Sequence, residues 1–382
     1  MFEDLIYFIR DLYGTDGFIP LHSPRFIGNE KKYLLKTIDS TYVSSIGEYV
    51  DLFENSTAEY TGAKYAIATV NGTAALHISL KLVGVENNSE VITQSLTFIA
   101  TCNAIRYCGA TPVLLDVDRA TLGLSAKSLK LFLDEYGEVR EDGNCWNKVS
   151  NKKIAACLPM HTFGIPVELD AIKQICDQYN IPLVEDAAES LGSRYKDKHT
   201  GIYGKTAAIS FNGNKIITTG GGGIILTNDE QLNRRARHIT TTAKIPHNGY
   251  FFEHDEIGFN YRLPNLNAAL GVAQLEVLPA YVKDKRKLAK QYHKWGDEHG
   301  LQFVKELKHS KSNYWMNTVV TQNKKQRDVM LKIMNENKIM TRPAWVPMHK
   351  LEINQDCYFG NMTNTEWLFD RLVNIPSSTR GI

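Results

Sequence analysis

SFNGNKIITTGGGG, residues 210–223, decides how this chain is read. A predicted strand, Ala207–Phe211, runs into it and a second, Gly223–Thr227, leaves it. Between them Lys215 precedes a run of four glycines, so it sits in a tight turn rather than on a helical face. A lysine held in its neutral form by burial and neighbours can trap a carbonyl carbon. A lone loop lysine is more often simply solvated, so the reading depends on what accompanies it.

Its company starts at VEDAAES, residues 184–190. An apolar strand there ends in Glu185 and Asp186, and the carboxyl ends of parallel strands are where α/β sheets bind ligands. A fixed carboxylate at that point can hold a pyridine nitrogen protonated, the condition for the ring to act as an electron sink. On its own, Asp186 reads equally well as the cap of the next helix. A third piece is NGTAALHIS, residues 71–79. Gly72 lets backbone approach an anion, and Thr73 with the first helical amides points donors at it, although Asn-Gly-Thr is also ordinary cap chemistry. Ser210, one strand over, can add a hydroxyl to the same anion. Phe98, after the Val91–Thr93 strand, can stack on a flat ring or belong to the core.

Outward from these segments, further strands are predicted at Tyr65–Val70, Val113–Asp116 and Ile154–Pro159, most of them apolar throughout, as in a sheet covered on both faces. Helical periodicity marks Asn71–Leu82, Val167–Tyr179 and Glu230–His238. Ala120 to Lys153 is polar and reads as an exposed helix and loop. From about Leu275 the texture becomes that of a smaller α+β unit: a helix at Ala280–Trp295, a strand at Tyr314–Val320, and helices at Lys325–Asn337 and Thr365–Leu372. The division is drawn as 1–275, an amino-terminal arm plus large domain, and 276–382, a small domain.

The 44 basic and 42 acidic side chains leave a formal charge of +2, with no surplus to attract nucleic acid. No run reaches the length of a membrane span, and the opening residues lack a signal-peptide pattern. Six cysteines without a C-x-x-C pair fit buried free thiols in a reduced, cytoplasmic protein with no metal site.

With these pieces in order, the chain resembles the DegT/DnrJ/EryC1/StrS family of sugar-nucleotide aminotransferases over about residues 19–375. The resemblance implies the type I fold of pyridoxal-phosphate enzymes, like aspartate aminotransferase. That is an α/β large domain with a mixed, mostly parallel seven-stranded sheet and a smaller α+β domain. It implies pyridoxal 5′-phosphate as cofactor, Lys215 as its Schiff-base lysine and Asp186 as the partner of its ring nitrogen. Phosphate contacts fall on Gly72, Thr73 and Ser210, and the stacking aromatic on Phe98. The family's G-x-N-Y-R segment is Gly258–Arg262 here. It makes Asn260 a contact to the neighbouring subunit's cofactor and the protein an obligate homodimer with shared sites.

Two positions depart from the common pattern. Glu189 stands where many members have Gln or His near the cofactor's phenolic oxygen, and Gly221 where many have Glu. Within the family, the segments FIPLHSPRFIGNEKKYL (18–34), HTFGIP (161–166), TTTAKIPH (240–247) and NYRLPNLNAALG (260–271) are similar to the LegC-like branch. That likeness implies transfer from L-glutamate to C4 of a UDP-linked 4-keto-6-deoxy-N-acetylhexosamine, as in legionaminic acid or bacillosamine pathways. His161, Lys244 and His247 lie in these segments and are expected to face the sugar nucleotide; His161 reads equally well as a structural histidine. Other acceptors with the same chemistry are a GDP-linked 4-keto-6-deoxyhexose and an 8-keto octulosonate. A dehydratase of this fold would carry histidine in place of Lys215. A non-catalytic sensor or scaffold would not need the full set.

Overall fold

A computed structural model describes residues 2–245 and 250–380. His247 lies outside the described residues. The central sheet is built from β1 (Tyr65–Thr69), β2 (Glu90–Gln94), β3 (Thr111–Leu115), β4 (Ile154–Leu158), β5 (Val184–Asp186), β6 (Thr206–Ser210) and β7 (Gly223–Thr227). Two four-stranded ladders join through parallel bridges between Cys157 and Leu183 and between Met160 and Asp186, giving the order β1-β7-β6-β5-β4-β2-β3. Only β7 runs against its neighbours, and a two-residue strand, Tyr358–Phe359, extends the edge beside β3. The carboxyl ends of β1, β5 and β6 therefore share one edge.

Why these segments are strands follows from their burial. Ile67 and Ile225 point to one face, where they meet α4 (Gly72–Leu82), α5 (Ile99–Tyr107) and α8 (Glu230–Thr240) through Leu76, Ile105 and Ile239. Ala66, Ala68, Ile224 and Leu226 point to the other, against Phe53 of α3 (Glu48–Thr61) and Val272 of α9 (Asn265–His299). Each large aliphatic side chain so buried contributes about 1.5–3 kcal/mol.

The small lobe has a four-stranded antiparallel sheet of β8 (Gln302–Phe303), β9 (Asn317–Val320), β10 (Arg342–Pro343) and β11 (Leu372–Ile375), in the order β8-β9-β11-β10. Its core takes Leu5 and Ile9 of α1 (Phe2–Tyr13), Leu288 and Tyr292 of α9, and Met330 of α10 (Lys324–Glu336). The amino-terminal helix thus packs with the small lobe. The boundary drawn at residue 275 falls inside α9, which runs unbroken through Pro279. Three local expectations also change. A hairpin pairs Gly137–Val139 with Cys145–Asn147 where a loop was expected. The last helix, α11 (Thr363–Phe369), stops before Leu372, which opens β11. The strand expected from Tyr314 begins at Asn317, because Tyr314 turns at φ 47°. No described helix is long and apolar enough to cross a membrane.

Candidate active site

At the shared strand edge lies a cavity of about 300 Å³. Seven of the residues singled out in the sequence line it: Gly72, Thr73, Phe98, Asp186, Glu189, Ser210 and Lys215. They come from four separate segments, and the sheet order explains their meeting. Asp186 ends β5, Ser210 ends β6, and Lys215 sits in the β6–β7 turn.

The turn between β1 and α4 approaches the sheet closely. Asn71 caps the helix, its Oδ1 accepting from the Ala74 amide at 2.8 Å, a contact worth about 1 kcal/mol. The first helical amides keep no carbonyl partner within the helix and are available to an anion. A side chain at Gly72 would place its Cβ 2.7 Å from the Cβ of Ser210, and one at Gly223 would meet the Asn71 carbonyl at 2.3 Å. Both positions require glycine on steric grounds. A phosphate fits this cradle: amides and the hydroxyls of Thr73 and Ser210 converge where no side chain intrudes.

Asp186 is buried. Its Oδ2 accepts from Thr101 Oγ1 at 2.7 Å and its Oδ1 from the Ala188 amide at 3.2 Å. Burial pushes its carboxyl above the usual range, while these two donors and the charge of Lys215 pull it back. A carboxylate desolvated in this way gains most from a cationic partner, as a protonated ring nitrogen would be. Lys215 Nζ lies 3.1 Å from Glu189 Oε1, and Glu189 Oε2 accepts from the Phe163 amide at 2.9 Å. Burial raises the Glu189 carboxyl, and Lys215 offsets part of that rise. Phe98 is half exposed at the rim, its ring 6.1 Å from that of Trp345.

Three of the residues singled out in the sequence do not line this cavity. Asn260 is exposed and lines no part of it, and Lys244 is exposed with its Nζ 3.7 Å from the centre of the Phe252 ring. His161 corrects the expectation that it faces a substrate. It is fully buried, and its Nε2 lies 3.1 Å from Glu185 Oε2 on the far side of the strand end. Its backbone amide donates to the Asp186 carbonyl, so it braces that strand from behind. Glu185 also accepts amides of Gly201, Tyr203 and Gly204. Although burial pushes its carboxyl up, His161 and these amides hold it below the usual range.

The sequence reading missed Asn71, Thr101, Met160, Asn212, Asn214, Trp315 and Trp345, all of which line the cavity. Asn212 and Asn214 flank Lys215, and Thr101 follows Thr97 by one helical turn, so local spacing offered a signal for these. Trp315 and Trp345 come from the small lobe and offered none.

Comparison with known proteins agrees with this geometry. Residues 25–380 match the DegT/DnrJ/EryC1/StrS aminotransferase family. A GDP-perosamine synthase of Escherichia coli O157:H7 is 36% identical over 360 residues, covering 94% of this chain and 93% of that protein. The putative pyridoxal phosphate-dependent aminotransferase EpsN of Bacillus subtilis (strain 168) is 36% identical over 367 residues, with 94% and 91% covered. Among solved structures, the aminotransferase TlmJ from Streptoalloteichus hindustanus superposes with a TM-score of 0.84 at 26% identity, covering 94% of each chain. The chain belongs to the DegT/DnrJ/EryC1/StrS family and is a pyridoxal-phosphate-dependent sugar-nucleotide aminotransferase of fold type I.

Proposed function

We propose that this enzyme moves the amino group of L-glutamate to C4 of a UDP-linked 4-keto-6-deoxy-N-acetylhexosamine. The observation that carries the transfer chemistry is the meeting of Lys215, Asp186 and the amino end of α4 in one cavity. When bound, pyridoxal phosphate supplies a carbonyl that accepts the amino group and a ring that spreads the charge left on carbon. Asp186 keeps a proton on the ring nitrogen. Gly72, Thr73 and Ser210 hold the phosphate, and Phe98 covers the ring. Lys215 Nζ would be the attachment point, and once freed it would be placed to take the proton from the donor's α-carbon and return it across the intervening nitrogen to the former aldehyde carbon. The order of events is ping-pong, because 2-oxoglutarate leaves before the keto sugar enters.

The acceptor rests on the segments shared with the LegC-like branch. A second reading, a GDP-linked 4-keto-6-deoxyhexose, is favoured by the name of the 36% identical GDP-perosamine synthase. We assign a homodimer with shared sites. Among the described residues that line the cavity Lys215 is the sole cation, next to two buried carboxylates, so a nucleotide diphosphate needs positive charge from elsewhere. Asn260 and Arg262 lie on an accessible segment beside the end of β1 and suit that role across a subunit boundary. Six buried, unpaired cysteines fit a reducing cytoplasm.

Hydride reduction of the cofactor-loaded protein followed by peptide mass spectrometry tests the centre of this reading. The adduct is expected on Lys215, and Lys215→Ala is expected to bind cofactor without turnover. An adduct on another lysine overturns the proposal. Assaying the aminated form against UDP- and GDP-linked keto sugars decides the acceptor.

A further inference from the structure

The amine of Lys215 lies between two buried faces. On one side Glu189 Oε1 is 3.1 Å away; on the other, the centre of the Trp315 ring is 4.2 Å away. An indole face attracts a cation and not a neutral amine, and more so out of water.

Neither face is free to drift. Trp315 Nε1 donates to the carbonyl of Asn214, the residue before Lys215, at 2.7 Å. The Trp315 amide donates to Asn313 Oδ1 at 2.8 Å, and Asn313 Nδ2 donates to the carbonyls of Glu189 and Leu191, both at 2.9 Å. One fully buried amide therefore fastens the segment carrying the indole to the segment carrying the carboxylate. Tyr314, between them, sits at φ 47°, a left-handed conformation that costs a residue with a Cβ about 1–2 kcal/mol. That turn is what sends Trp315 into the cavity instead of continuing β9.

We propose that Trp315 and Glu189 form a receptor for the ammonium form of Lys215, which makes Trp315 a further catalytic residue. The inference rests on Lys215 being the reacting amine. When Nζ takes a proton from the donor's α-carbon, its lone pair becomes an N–H bond and the C–H electrons stay on carbon. The new cation is held between ring and carboxylate until the same proton passes to the former aldehyde carbon on the far side of the imine nitrogen, so charge and protons balance. An aromatic face gives part of the attraction of a second carboxylate without a permanent charge, which lets the proton leave again. Asp186 and His22 also interact electrostatically with the amine, and Asp186 adds attraction. Burial, with Lys285 and Lys215 nearby, keeps the His22 ring neutral, so it adds no charge.

The test is reductive methylation of the cofactor-free protein with formaldehyde and cyanoborohydride, following the Lys215 peptide by mass spectrometry across pH. Trp315→Leu is expected to label about three- to tenfold faster than wild type at mildly alkaline pH, with Trp315→Phe between them. The curves are expected to converge at strongly alkaline pH, where an alkylamine carries no charge for an aromatic face to attract. Superimposable curves overturn the proposal. So does a gain of equal size at every pH, because the indole would then only shield the amine. If Trp315→Leu does not fold, Trp315→Phe against wild type makes the same comparison. The hydride-trapping experiment reports separately on whether Lys215 is the reacting amine. A trapped adduct elsewhere removes Trp315 from catalysis even where the labelling order holds.

Discussion

Thr101 Oγ1 donates to Asp186 Oδ2 at 2.7 Å, and the same hydroxyl stands 2.8 Å from Thr97 Oγ1. The carboxylate assigned to the ring nitrogen is thus aimed by the first turn of α5, the helix that Phe98 precedes. A hydrogen bond to a charged group contributes about 1.5–3 kcal/mol. Thr101→Val keeps the shape and removes the donor, leaving Asp186 with the Ala188 amide alone. Cofactor affinity, measured by absorbance titration, is expected to fall by about one to two orders of magnitude. An unchanged dissociation constant would mean the carboxylate needs no such aim.

Lys285 gives a pH-dependent prediction. It is fully buried, bonded to the Ser377 carbonyl, and burial lowers its pKa to about 7, with Asp284 opposing. A lysine with a folded value below its unfolded one binds fewer protons in the folded state between the two. Stability therefore rises as pH climbs from about 7 toward the ordinary lysine range, and the full penalty applies below about 7. A displacement of that size is worth at most about 5 kcal/mol. Lys285→Met removes it but leaves the Ser377 carbonyl without its donor, a cost of about 1–3 kcal/mol. The variant is expected to melt higher than wild type at acid and neutral pH and to lose that advantage as pH rises. A constant difference at all pH values would refute the assignment.

Glu185 and His161 form a pair with both side chains fully buried. Glu185 collects three backbone amides as well as the imidazole, so the pair holds the 201–204 loop and the end of β5. His161→Asn is expected to lower stability by about 1–3 kcal/mol in denaturant titration while leaving KM for the keto sugar unchanged. A raised KM with unaltered stability would return His161 to the substrate list.

The contrast between His161 and Asp186 shows what the sequence could and could not disclose. Both follow apolar parallel strands, and both looked like residues at a ligand-binding edge. Which face each side chain takes is set by the pleat and by the bond from the His161 amide to the Asp186 carbonyl, neither of which leaves a mark on composition. Lys215, Gly72 and Ser210 were legible because turn glycines and strand ends tie them to the chain locally. Trp315 was not, since its chemistry comes from an inward turn at Tyr314 and a junction at Asn313 about a hundred residues away from Lys215. The division at residue 275 was drawn from a change in texture, and texture does not show that a single helix, α9, spans that point.

Asn260 offers the sharpest test of shared sites. It is exposed and outside the cavity, yet its segment is bound rigidly to the cavity's edge, with the Val70 amide donating to the Tyr261 carbonyl at 2.9 Å and Thr69 bridging Arg262. A residue fixed at that edge, exposed and outside its own cavity, serves either solvent or a neighbour. Mixing Lys215→Ala subunits with Asn260→Ala subunits separates the two. If Asn260 acts across the boundary, each hybrid dimer has one site with both defects and one intact. Activity is then expected to return to about a quarter of wild type, because about half the dimers are hybrid with one good site each. If Asn260 acts on its own chain or not at all, every hybrid has Lys215 damage at one site and Asn260 damage at the other, so mixing restores nothing beyond the two parents.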